Sequence, residues 1–198
     1  MLSTIVLIPG SLTLVPELGA GDVAAAQLRE AITSALPALG AVTTVVGSQD
    51  PRWYTGHAGS FRAWGADVQV SGGHYSAELV ARYFLDGADI GVQASVDKLS
   101  AVSGKSALVV ADGSAGMTQR APLGPVAGAA DADSAIRALL GSGVAPASPQ
   151  WFHDRGVIEP QPFMELAEIS GAWERRLVCA DHTSGVGRYV SVWTRKDN

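Results

Sequence analysis

The sequence predicts an α/β fold in three layers: a central, mostly parallel or mixed sheet with helices on both faces. Three observations predict it. Ser3 to Pro9 and Ala107 to Ala111 are unbroken apolar runs rich in β-branched residues, the pattern of strands buried on both sides. Strand-like segments alternate with helix-like ones, which is how parallel strands are joined. The last two strand-like runs are separated only by residues 181–187, which suits an antiparallel edge.

The elements follow in order. Ser3 to Pro9 is a buried first strand closed by Gly10-Ser11. Asp22 caps a helix through Leu39, with Val23, Ala26, Ile32 and Leu36 as its apolar stripe. Val42 to Val46 is a second buried strand. Residues 47–60 are polar and irregular, broken by Pro51, Gly56 and Gly59. Ala66 to Val70 alternates and reads as half exposed. A helix opens at Ser76 and runs to about Leu85, and Ile90 to Val96 is a short strand. Ala107 to Ala111 is a central strand that breaks at Asp112-Gly113-Ser114. A long loop then reaches Ala130, and long loops at strand ends often carry function. Asp131 or Asp133 starts a helix through Leu140. A Pro/Gly/Ser-rich break covers 141–149. Pro162 starts a helix through Ala172, and Arg176 to Ala180 pairs with Arg188 to Thr194 at the edge. The breaks are too short to be linkers, so residues 1–198 are expected to form one domain.

Composition narrows the partners. Hydrophobic residues make up 47% and charged residues 17% of the 198, ample for a buried core. The net charge of −5 and the absence of any basic run argue against nucleic acid and anionic membrane. The single cysteine, Cys179, excludes an intrachain disulfide, fits a reducing compartment, and reads as an inert buried thiol. The first apolar run ends at Pro9, short of the roughly 20 residues a membrane span needs, and no basic segment precedes it. A cytoplasmic protein is expected.

Familiar catalytic motifs fail on inspection. Val102-Ser103-Gly104-Lys105-Ser106 imitates the end of a phosphate-binding loop, but Leu99 stands where its first glycine belongs and an apolar strand follows. Asp112-Gly113-Ser114-Ala115-Gly116 nearly matches a hydrolase elbow, yet Asp112 replaces the required glycine and Pro122 denies a following helix. Asp112 and Ser114 are therefore expected to bond to loop amides, a role compatible with lining a pocket. His57, His74, His153 and His182 share no helix face and no zinc-like spacing with Cys179. Glu165 and Glu168 read as a solvated helix side. Trp151, Trp173, Tyr189 and Trp193 read as core or subunit-contact packing.

Several pieces together resemble one family. Ile8-Pro9-Gly10-Ser11-Leu12-Thr13-Leu14-Val15-Pro16-Glu17 resembles the opening of LigB-like proteins, the class III extradiol ring-cleavage dioxygenase superfamily, where a first strand commonly ends in Pro-His-Pro-Pro and then Leu-Val-Pro-Glu. Ala111 to Ala115 with Ala121-Pro122-Leu123-Gly124 resembles a Gly-Asp-Gly-Ser-Ala and Ala-Pro-Gly segment of one branch. Ser170 to Trp173, followed by Gly185 to Tyr189, resembles that branch's C-terminal end. The pieces occur in order over nearly the whole chain.

The resemblance implies a LigB-like α/β fold and Fe(II) held by two histidines and a glutamate, with O2 and a catechol as substrates. It also implies where this chain departs. The first histidine falls on Gly10 or its neighbour Ser11. The second belongs among Ser48, Gln49 and Asp50. The base histidine falls on Gln119, which cannot take a proton at neutral pH. Glu159 and Glu165 lie near the place of the glutamate. Ser11 and Asp50 as hard ligands favour magnesium or no metal over iron. The leading expectation is a dioxygenase-like scaffold without a working iron site. Its cleft, lined by Ser11, Gln49, Asp112, Ser114 and Gln119, takes a small molecule or a protein partner. Memo-type members of the superfamily, associated with binding roles, are the analogy. Two alternatives stand beside it. One is an active Fe(II) enzyme that recruits His57 and His182 or His74, with Glu159 or Glu165. The other is an assembly protein whose C-terminal aromatics form a homodimer interface.

Overall fold

The computed structural model describes residues 1–144 and 148–196. Six strands form one mixed sheet: β1 (Thr4–Ile8), β2 (Val42–Val46), β3 (Gly91–Val96), β4 (Ser106–Val110), β5 (Trp173–Asp181) and β6 (Arg188–Arg195). Their order across the sheet is β3-β2-β4-β1-β6-β5. β1 to β4 run parallel, and β6 lies antiparallel to both β1 and β5. The helices are α1 (Val23–Ala35), α2 (Ser76–Gly87), α3 (Ala129–Ser142), α4 (Pro149–His153) and α5 (Gln161–Glu168). Among the described residues, no helix is long and apolar enough to cross a membrane.

Side-chain alternation along the strands builds the three layers. Val6, Ile8, Leu108 and Val110 pack with Leu28 and Ile32 of α1 and Leu79 and Val80 of α2. Ile5, Leu7, Ala107 and Val109 point the other way, to Ile136 and Leu139 of α3 and Phe163 and Leu166 of α5. Both faces of β1 and β4 are therefore dry, which is why their sequences are apolar without a break. The three-layer α/β expectation holds, as does the antiparallel closing pair.

The chain leaves β1 through α1 toward β2, and leaves β4 through α3 toward β5 on the opposite side. β1 and β4 are neighbours, with Ile8 opposite Val110. Their carboxyl ends thus flank a point where the winding reverses, and such a point opens a crevice above the sheet.

Several elements differ from expectation for identifiable reasons. α1 is capped by Asp22, whose Oδ1 accepts from the Ala25 N–H at 3.1 Å. Its buried face is Ala25, Leu28, Ile32 and Ala35, while Val23 is 91% exposed and Ala26 is exposed. Val23 lies about 200° round the helix from Ala25, so the two cannot share a stripe. Pro37, which brings no N–H, sits in a 3-10 turn (Leu36–Leu39) that ends the helix. Residues 66–70 are extended but make only an isolated bridge between Ser60 and Gln69. α3 starts at Ala129 rather than at Asp131 or Asp133, behind Gly128 with φ +77°. Asp133 is inside the helix because its Oδ1 accepts from the Tyr189 hydroxyl at 2.6 Å. The 141–149 break ends in α4, which Ser148 caps, and residues 145–147 of that break lie outside the described residues. α5 stops at Glu168, short of Ala172, and Gly171 at φ +100° turns the chain into β5.

Trp173, Tyr189 and Trp193 lie in the core beneath α3 and α5. These three pack within their own chain, while Trp151, the fourth of the C-terminal aromatics, is half-buried on α4 with the Arg155 guanidinium 4.1 Å from its ring centre. Cys179 is half-buried rather than buried, because β5 is an edge strand with an irregularity between Leu177 and Cys179. Burial nevertheless pushes its thiol above the usual value, and nearby Asp181 adds to the push.

Candidate functional site

A cleft of about 320 Å³ opens at the carboxyl ends of β1, β2 and β4, within the size range of small-molecule sites. Gly10 and Leu12 enter it from the end of β1, Ser48 and Trp53 from the end of β2. Val110 to Gly113 enter from the end of β4, and Ile158 and Glu159 from the segment before α5. Trp64 and the first turn of α2 complete the wall. The lining is mostly apolar, with two carboxylates, Asp112 and Glu159, and no Lys, Arg or His.

Asp112 is set by the end of β4. The Ala111 N–H donates to the Ile8 carbonyl at 3.0 Å, which continues the β1–β4 pairing by one residue. The next residue then turns back toward β1, and Asp112 Oδ1 accepts from the Gly10 N–H at 3.1 Å. Burial pushes this carboxyl up to about 6; the Gly10 N–H and the Arg188 charge pull against that rise, and Glu159 adds to it.

Glu159 stands across a long sequence gap. Its Oε1 accepts from the Ser48 hydroxyl at 2.7 Å and from the Trp53 indole N–H at 2.8 Å. The nearest cation, Arg52, is 3.9 Å away and is already engaged with Asp50 through two contacts of 3.0 and 2.9 Å.

The segment 112–116 is a clamp. Gly113 N–H donates to Gly187 O at 2.7 Å, Gly187 N–H to Ser114 O at 2.9 Å, and Ala115 N–H to Gly156 O at 2.8 Å. The Ser114 hydroxyl donates to Arg155 O at 2.6 Å and accepts from the Gly116 N–H at 3.1 Å. Ser114 is fully buried with its hydroxyl used on both sides, so it is a loop-bonding residue and does not line the cleft.

The remaining expected cleft residues are dispersed. The Ser11 hydroxyl pairs with Thr13 at 2.8 Å, and Thr13 donates to Asp22 at 2.7 Å. Gln49 is exposed and donates to Ser95 O at 3.3 Å, and Gln119 is exposed. Of the five, Asp112 alone lines the cleft; Gly10 and Ser48 stand there in place of their neighbours Ser11 and Gln49. Trp53 and Trp64 had no signal in the sequence, since only tertiary contact brings them to the cleft, where Trp64 is half-buried and Trp53 remains exposed.

Behind the cleft lies a second polar cluster. Arg188, fully buried, is hydrogen-bonded to Asp22 and holds Asp181 at 2.5 Å. It ties the cap of α1 to the β5–β6 turn.

The donors do not fit iron held by two histidines and a glutamate. Among the described residues, no three His, Cys, Asp or Glu side chains come close enough to share an ion. His74 stacks on Tyr54 at 5.2 Å, with Nδ1 2.9 Å from Thr55 O. His182 lies beside Arg137 at 3.5 Å, and His57 and His153 are exposed. Glu165 is not a solvated residue: its Oε2 accepts from the Leu99 N–H at 2.6 Å. The set His57, His182 or His74 with Glu159 or Glu165 is therefore not assembled as a metal site.

Comparison with protein-family models finds no matching family, and comparison with curated proteins finds no matching relative.

Proposed function

We propose that this chain is a divergent LigB-like protein without a histidine-held iron, and that it binds a small molecule in the cleft at the carboxyl ends of β1, β2 and β4. The observation that carries the reading is the Gly10–Asp112 contact at the reversal of the winding. Two of the three sequence pieces that carry the resemblance, 8–17 and 111–124, meet there. Where the resemblance would put a metal-binding imidazole, Gly10 offers a backbone N–H, and that N–H is committed to a carboxylate. The cleft keeps the position of an α/β active site, its apolar walls and two acceptor groups, which suits a ligand with an apolar body and a polar head.

The test has two arms. Untagged protein, prepared with iron supplied, is assayed for bound iron and for catechol-dependent oxygen uptake; neither is expected. Stoichiometric iron with oxygen uptake overturns the loss of the iron site. Fragments that raise the melting temperature of the wild type are then retested on Ile158→Trp, which fills the cleft mouth. Loss of the shift is expected, and fragments that stabilise both proteins equally sink the cleft as the binding site.

A further inference from the structure

We propose that the cleft selects a small organic cation, an amine or quaternary ammonium on an apolar body, held by Asp112 and Glu159 against the Trp53 and Trp64 indoles. This rests on the cleft being a small-molecule site and adds the charge of its ligand.

The argument is one of local charge balance. Two carboxylates line the cleft and no basic side chain does. The cations near them, Arg188 and Arg52, make their hydrogen bonds to other carboxylates. Arg188, whose charge reaches Asp112, is held by Asp22 and Asp181, so that cluster carries a net negative charge of its own. Arg52 is exposed and bonded to Asp50 through two contacts, although its guanidinium also comes within 3.9 Å of Glu159 Oε1. The Tyr189 phenol, the other titratable group near Asp112, is pushed above its usual value by burial and by Asp133, and stays neutral. A half-buried carboxylate with one oxygen bonded only to a backbone N–H keeps its second oxygen for a donor or a positive charge. Glu159 is fixed through Oε1 by Ser48 and Trp53, which leaves Oε2 in the same condition.

The walls fit the same ligand. An indole face attracts a cation, and does so more strongly where water is excluded. Trp53 and Trp64 both line the cleft; Trp64 is half-buried, while Trp53 is exposed, oriented by its own N–H bond to Glu159, and has the Arg52 guanidinium 5.8 Å from its ring centre. An anion would meet two carboxylates, with only Arg52, already paired with Asp50, close to one of them, so carboxylic acids and phosphates are disfavoured. A neutral molecule of the same shape keeps the apolar contacts and loses the charge term.

The cation should also compete with a proton at Asp112. A ligand that cannot itself titrate shows this cleanly, because any change with pH then belongs to the protein.

The experiment is calorimetric titration of the full chain with benzyltrimethylammonium, benzyl alcohol and benzoate, three probes of one shape and different charge. At about pH 7.5 the ammonium should bind at least about tenfold tighter than the alcohol, and benzoate weaker than either. At about pH 5 the ammonium should weaken about tenfold, following protonation of Asp112, while the alcohol holds steady. Asp112→Asn should remove that pH dependence, and Glu159→Gln, an independent variant, should narrow the ammonium-to-alcohol ratio by about fivefold or more. Equal affinity for ammonium and alcohol, or an unchanged ratio in both variants, overturns the cation while leaving the cleft reading intact. No binding of any probe overturns both.

Discussion

Gly10 and Asp112, 102 residues apart, join the ends of two adjacent parallel strands through one backbone-to-side-chain hydrogen bond of 3.1 Å. The contact is tight as well as polar. A Cβ at residue 10 would lie 3.0 Å from Asp112 Oδ2 and 3.2 Å from Val110 Cγ1. Glycine is thus favoured by the neighbours, which must give by a few tenths of an ångström to admit a methyl group, with no demand on backbone conformation. Gly10→Ala should cost about 1–3 kcal/mol by overpacking and swing the Asp112 carboxyl toward the cleft. Chemical denaturation measures the first effect. The carboxyl-carbon shift of Asp112 followed through its titration by NMR measures the second, and an unchanged titration counts against the contact. Gly10→His meets the same obstacle and should not restore iron binding.

Asp112 makes the fold less stable when ionised. Its carboxyl is raised, chiefly by burial, from 3.8 to about 6. A raised value means that its favourable share is complete below the unfolded value and is lost as pH rises through about 6. Asp112→Asn keeps an oxygen for the Gly10 N–H and removes the charge. The variant should be more stable than wild type by about 2 kcal/mol at neutral pH, with the difference shrinking toward zero near pH 4. Urea melts across that range are the measurement. A constant difference would mean that the carboxyl is not raised.

The Arg188 cluster has the opposite sign. Burial, the largest single effect, raises the Asp22 and Asp181 carboxyls, but the hydrogen bonds and charge of Arg188 together with hydrogen bonds from Thr13 and Ala25 to Asp22 and from Thr183 to Asp181 hold both below 3.8. Their stabilisation is present above the unfolded value and fails as pH falls through the lowered ones. Arg188→Met strands two buried carboxylates and should cost about 3–5 kcal/mol. Adding Asp22→Asn and Asp181→Asn should recover most of that loss. If the triple variant stays as unstable as the single one, the loss lies in packing and not in charge.

The strands of the core were legible because burial on both faces leaves little room for polar residues: after Thr4 and Ser106, Ile5 to Ile8 and Ala107 to Val110 are wholly apolar and read as they fold. Asp22 was legible because a side-chain cap has a local signature. Gly128 caps α3 without one, and the two acids that resemble caps lie inside the helix: Asp131 in its first turn, and Asp133 bonded to Tyr189 and Arg137. In the cleft, Asp112 could be named from its place at a strand end. Its partner Glu159 could be named only as a stray carboxylate. Glu159 meets Ser48 and Trp53 across 111 and 106 residues, and no local pattern records such a meeting. Cys179 was misplaced because an apolar edge strand reads like a central one until its missing neighbour is seen.

The clamp that presents Asp112 ends on a second tight glycine. A Cβ at Gly113 would lie 2.6 Å from the Tyr189 hydroxyl oxygen and 2.8 Å from its Cε2. Tyr189 cannot retreat freely, since it is fully buried and donates to Asp133 Oδ1 at 2.6 Å. Gly113→Ala should therefore cost about 1–3 kcal/mol. Tyr189→Phe alone should cost about 1–2 kcal/mol, for the lost hydrogen bond and the partner left behind. Without its hydroxyl the ring is no longer pinned and can tilt away from the new methyl group. The double variant should then be less damaged than the sum of the singles, with a coupling of about 1 kcal/mol. Additive losses in a double-mutant cycle would show that Tyr189 does not hold residue 113 to glycine.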